Sequence, residues 1–186
     1  IKSFDIGSIY MPNATSNTST YLNLLKVIEE KGKNVKIVKA GKKIISTDEL
    51  KLEVLAPISD QYEDLNNYSI VLKLTYLEKS FLFMADAEYD SEMELLKNSD
   101  IKADVLKVGH HGSTSSTNYN FLKKVDPSIA IISVGAGNDY GHPKEKILSK
   151  LKEKNIKIYR TDLNGNIVVT SDGTSVKVRS SNGSYS

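Results

Sequence analysis

Leu106-Lys107-Val108-Gly109-His110-His111-Gly112-Ser113 sets two adjacent histidines at the end of an apolar run that starts at Asp104. The run reads as a short apolar strand, and the glycines on either side let other groups approach closely. Imidazole nitrogens suit zinc, manganese and iron, and strand ends are where α/β folds place their ligand sites. The plainer alternative is that one histidine is exposed and the other caps the following turn.

Upstream, Ser69 to Tyr76 and Ser80 to Met84 flank the polar break Leu77-Glu78-Lys79 and predict an antiparallel hairpin. It delivers Asp86 just past a strand end. A carboxylate there is costly unless it binds a cation or caps the next helix, which the pattern predicts from Tyr89 to Lys97. Downstream, a short helix from Tyr119 to Val125 precedes the apolar strand Ile129 to Val134, and the loop Gly135-Ala136-Gly137-Asn138-Asp139-Tyr140-Gly141-His142-Pro143 follows. His142 there is either a second functional imidazole or a capping residue of a Gly-rich loop. The glycine spacing matches no phosphate-binding loop. Pro143 opens an amphipathic helix, Lys144 to Lys154, with Ile147, Leu148 and Leu151 on one face, which leads to a strand over Ile156 to Tyr159. Nearer the N-terminus a helix is expected from Thr18 or Ser19, with Tyr21, Leu24, Leu25 and Ile28 as its stripe, and strands at Val35 to Val38 and Leu50 to Leu55. A last hairpin turns at Asp172-Gly173. Strands and helices mix without repeat or linker, so the class is α/β (α+β) in one domain.

The composition agrees with one core. The chain has 186 residues, 39% hydrophobic, with 25 Lys and Arg against 23 Asp and Glu and a formal net charge of +2. A basic nucleic-acid coat is excluded, though Lys102, Lys107, Lys123, Lys124, Lys144 and Lys146 could form a local patch. The absence of cysteine excludes disulfides, thiolate zinc sites and cysteine nucleophiles. No apolar run approaches the roughly 18 residues of a membrane span. The chain opens on Ile1, which reads as a cut end.

Asp86, the His110-His111 pair and His142 each follow an apolar strand. A sheet that aligns those strands gathers a carboxylate and up to three imidazoles along one edge, which suits a divalent metal with an activatable water. Ser113 and Ser115 are hydroxyl nucleophile candidates, but neither sits in a Gly-x-Ser-x-Gly elbow.

Five stretches together, Asn66 to Leu72, Phe81 to Glu88, Leu106 to Ser113, Ile132 to Gly135 with Asn138 to Pro143, and Tyr159 to Asp162 with Gly165, resemble the metallo-β-lactamase-fold domain at the C-terminal end of ComEC-type DNA-uptake channel proteins and of related free-standing hydrolases. The resemblance implies an αββα sandwich holding two metals, zinc or manganese, between its sheets. It makes Asp86 the bridging carboxylate and His110 or His111 a metal ligand, the other contacting a substrate phosphate or donating a proton. His142 would lie at the rim as a ligand or substrate contact. Alternation along the strand puts the two adjacent histidines on different sides.

The family's main metal motif, His-x-His-x-Asp-His, is missing, and the chain begins just after the point where it should end. The expectation is an incomplete domain over residues 1–179, mainly the second half of the sandwich, with a disordered polar tail at 180–186. Asp86 and the histidines offer at most four ligands, so weak or absent metal is expected in this chain. Without the other half one sheet face would lie bare, which predicts a homodimer through that face. Functionally, the chain would be the C-terminal portion of a metal-dependent hydrolase, a phosphodiesterase or nuclease linked to DNA uptake, and inactive by itself. The alternatives are an esterase of small phosphoesters of the choline-phosphate type and a non-catalytic binding or assembly module. The resemblance also implies an extracytoplasmic domain of a bacterial protein, with no membrane insertion by this chain.

Overall fold

The computed structural model describes residues 3–98 and 100–182. Its centre is a seven-stranded sheet of β3 (Lys43–Ser46), β4 (Leu50–Ala56), β5 (Val71–Tyr76), β6 (Lys79–Phe83), β7 (Val105–Lys107), β8 (Ile129–Ile132) and β9 (Lys157–Arg160), in that spatial order. The first four strands are antiparallel neighbours, and β6 to β9 run parallel. The switch has a local cause. Leu77 and Glu78 close a tight turn between β5 and β6, whereas α2 (Tyr89–Asn98), α3 (Tyr119–Val125) and α4 (Glu145–Glu153) each carry the chain back across the sheet to a parallel strand.

These helices cover one face of the sheet. Leu95 of α2, Phe121, Leu122 and Val125 of α3, and Ile147, Leu148 and Leu151 of α4 pack with Val71, Leu82, Leu106, Ala130 and Ile132 in a single core. Residues two apart along each strand share a face, so the alternate set, including Leu74, Phe81, Phe83, Val105 and Ile131, points the other way. There the hairpin β10 (Ile167–Ser171) and β11 (Val176–Ser180) leans over the sheet, the Gly173 carbonyl accepting from Glu78 N. A cleft of about 720 Å³ remains beneath it, lined mainly by apolar side chains, with Lys107, Ser133 and Ser171 among them.

The expected elements are present, with differences that have local reasons. β1 (Ile9–Met11) pairs in parallel with β2 (Val35–Ile37), and both β1 and β3 lie in segments where no strand is expected. Both are short; β1 depends on a partner 26 residues on, whereas β3 forms a hairpin with β4 that is interrupted by a register shift between Lys43 and Ile45. Helix α1 (Ser19–Glu30) is capped by Thr18, but of its apolar stripe only Ile28 is buried; Leu24 and Leu25 remain at the surface. Pro143 lies one residue before the Lys144 N-cap of α4 rather than in its first turn. The polar stretch from Ser180 starts in order: Ser180 ends β11, Ser181 N donates to Asn166 O and Asn182 N to Asn164 O. The remainder, 183–186, lies outside the described residues.

Candidate active site

The parallel strands bring all the expected residues to one edge, their carboxyl ends. Asp86 follows β6, His110 and His111 follow β7, and His142 closes the long loop after β8. Strand alternation does not separate the two histidines, because β7 ends at Lys107. Residues Gly109–Gly112 form a 3-10 turn in which His110 (φ 43°) and His111 (φ 54°) are both left-handed. Such conformations cost roughly 1–3 kcal/mol each and persist only where surrounding contacts hold them. Here His110 N donates to Ala85 O, Ser113 N to His110 O, and Ser116 Oγ to Gly109 O.

The turn assigns each histidine its own carboxylate. His111 Nε2 lies 3.4 Å from Asp86 Oδ1, and His111 Nδ1 lies 2.7 Å from the carbonyl oxygen of Ser133. A carbonyl only accepts, so Nδ1 carries a proton; in the neutral tautomer that this anchors, the lone pair of Nε2 faces Asp86. His110 Nδ1 bonds Glu88 Oε1 at 2.7 Å, and the Ser115 hydroxyl donates to the same oxygen at 2.7 Å. The His110 and His142 rings stand 5.8 Å apart and those of His110 and His111 6.3 Å apart. Burial, helped by the positive charge of Lys144, lowers the His142 pKa. Its Nδ1 is buried without a hydrogen-bond partner.

The helix-cap alternative for Asp86 is answered by another residue. Buried Asn67 turns its Oδ1 to the amides of Glu88 and Ser91 at the head of α2, and the Asp86 carboxylate faces His111. Glu88 is the residue that sequence reasoning missed; its position two residues beyond Asp86 was the only available signal. The six lysines do not form one patch. Lys102 pairs with Asp126 beside a polar pocket at the opposite ends of the strands, and Lys124 donates to Leu96 O, whereas Lys144 stands in the His142 loop. Burial lowers the pKa of Lys107, whose ammonium donates to Val108 O.

Toward a metal, the donor chemistry fits in part. The Nε2 lone pair of His111 and a carboxylate oxygen of Asp86 face each other with no proton between them in the neutral ring, an arrangement that a cation satisfies. Among the described residues no group of three or more His, Asp or Glu side chains could hold a metal ion.

No protein-family profile matches the chain. Over 145 residues it is 39% identical to ComE operon protein 3 of Bacillus subtilis, covering 77% of this chain and 19% of that protein. Over 120 residues it is 33% identical to competence protein ComA of Neisseria gonorrhoeae, covering 63% of this chain and 17% of the relative. It is 32% identical over 120 residues to Recombination protein 2 of Haemophilus influenzae, covering 64% of the chain and 15% of that protein. The chain thus spans less than a fifth of the length of the curated relatives it matches. Among solved structures, CmlA, a diiron β-hydroxylase from Streptomyces venezuelae, superposes with a TM-score of 0.54 at 13% identity over 83% of this chain and 38% of that one. A CmlA variant gives the same values. At such identity the likeness concerns the fold, which is the metallo-β-lactamase fold. With the sequence relatives and this fold together, the segment belongs to the ComEC family of competence proteins, as its metallo-β-lactamase-fold domain.

Proposed function

We propose that this segment forms part of the active site of a metal-dependent phosphodiester hydrolase that acts on DNA during uptake. The observation that carries the reading is the His111–Asp86 pair, with Nε2 3.4 Å from the carboxylate and Nδ1 anchored on Ser133 O. These two groups would hold a divalent ion, zinc or manganese, and further ligands would have to come from outside the described residues. A bound ion supplies Lewis acidity and an activated water. The chain's own residues supply orientation and proton handling. Glu88 fixes the His110 ring through Nδ1, which leaves Nε2 to contact a phosphate oxygen or hand it a proton. His142, with its lowered pKa, contributes a neutral imidazole at the rim.

The test is hydrolysis of bis(p-nitrophenyl) phosphate with manganese or zinc, using the protein expressed together with whatever the gene encodes ahead of Ile1. Asp86→Ala and His111→Ala are each expected to lower kcat by about 10²-fold or more, as loss of an electrostatic catalytic group does. Activity that survives both substitutions overturns the reading in favour of a non-catalytic module, and turnover of choline-phosphate esters in preference to the diester favours the small-phosphoester esterase.

With this reading goes a proposal about assembly. The half-covered apolar face over Leu74, Phe83 and Ile131 is where two copies of this chain would meet. Light scattering at micromolar concentration is expected to give the dimer mass, and a monomer mass counts against it.

A further inference from the structure

Tyr140 stands at the rim of the candidate site with 77% of its surface exposed, yet its ring is not loosely placed. It stacks on His142, centroids 5.9 Å apart and planes within 12°. The loop that carries it is cross-braced by Asn138. The Asn138 amide nitrogen donates to Gly135 O at 3.0 Å and to His142 O at 2.7 Å, and its oxygen accepts from His142 N at 3.0 Å. Gly141 N donates to Asn138 O at 3.1 Å, and Lys144 Nζ to Tyr140 O at 2.7 Å. A scattered exposed aromatic needs no explanation. This one differs in being held parallel to a site histidine by a braced loop, with an ammonium group bound to its own carbonyl.

We propose that Tyr140, backed by His142, is a stacking platform for an unpaired nucleobase of a single-stranded nucleic acid whose backbone passes the His110-His111 edge. The proposal rests on the phosphodiester reading and goes further, because it names the form of the substrate. Every nucleobase has a π face, so stacking is tolerant of sequence, but a base inside a duplex is already stacked and out of reach. The Lys144 ammonium, held on the Tyr140 backbone carbonyl, favours an anionic strand over a cationic ligand.

The test is fluorescence anisotropy of a labelled single-stranded oligodeoxynucleotide of about 12 nucleotides, a length set by typical single-strand site sizes. It uses the chain as it stands, at low salt, with EDTA present so that nothing is cleaved. Tyr140→Ala is expected to weaken binding by about 5- to 100-fold, the range seen on removing one base-stacking ring, and Tyr140→Phe to stay within about twofold. Binding to the matching blunt duplex should be the same for all three proteins. Circular dichroism melts check that each variant is folded, which the exposure of the ring favours. Equal binding by Tyr140→Ala and the unaltered chain overturns the platform alone. A loss in Tyr140→Phe as large as in Tyr140→Ala also overturns it, since the hydroxyl would then be the contact. No binding of single strand by the unaltered chain overturns both the platform and a nucleic-acid substrate.

Discussion

Replacing Glu92 by Ala is expected to cost about 3 kcal/mol of stability at pH 6, because it strips two interior amides of their acceptor. Glu92 lies on α2 and is fully buried. Its two oxygens accept from Thr117 N and, at 2.9 Å, from Asn118 N. That clamp fixes the end of the Ser113 to Asn118 segment, in which Thr117 is left-handed (φ 55°) and Lys150 of α4 donates to Thr117 O at 2.8 Å. The segment follows the histidine turn directly, so Glu92 supports the site without touching it. Burial raises the Glu92 pKa from 4.5 to about 7, against the opposing pull of the two amides and Lys150. The folded chain therefore keeps this proton up to about pH 7, while the unfolded chain releases it near 4.5. Between those values the folded state binds more protons, so stability falls as pH rises, by about 3 kcal/mol across the window. Glu92→Gln, which cannot ionise, should lack that slope. Urea melts of the parent and both variants from pH 4.5 to 8 decide the matter; parallel pH profiles for parent and Glu92→Gln would show that the carboxyl does not titrate in this range.

Gly112→Ala should be nearly as damaging, about 3 kcal/mol, from two terms that a second glycine separates. Gly112 has φ +83°, a conformation that costs a non-glycine residue roughly 1–2 kcal/mol. An added Cβ would also lie 2.7 Å from Pro143 Cβ, which cannot swing away because Lys144 N bonds Gly112 O at 3.0 Å. The histidine turn and the His142 loop are thus packed backbone to ring at this point, and prying them apart shifts His142 relative to His111. Gly137, with φ +64° and nothing within 4 Å of its would-be Cβ, carries only the first term. Its alanine variant should lose about 1 kcal/mol. Equal losses in the two variants would sink the packing argument, and denaturant midpoints measure both.

The placement of the site was legible in the sequence because strand and loop signals are local. The apolar runs before Asp86, His110 and His142 are intelligible within a window of a few residues, and three parallel strands carry those side chains to a common edge. The partners of those side chains were not legible, because each is set by contacts across 20 or more residues. Glu88 meets His110 across 22 positions, and Glu92 meets Thr117 across 25. Alternation misjudged the histidine pair, since strand periodicity no longer applies once the chain turns left-handed at His110 and His111. The cap of α2 went to Asn67, a residue from another segment with no capping signal of its own. By itself, then, the sequence determined the succession of strands and helices from β4 onward and that Asp86 and the three histidines reach the sheet edge, since periodic burial is a property of short stretches. Only the tertiary structure decided that His111 faces Asp86 while His110 is held by Glu88, because a side chain's partner depends on where a distant backbone is allowed to pass.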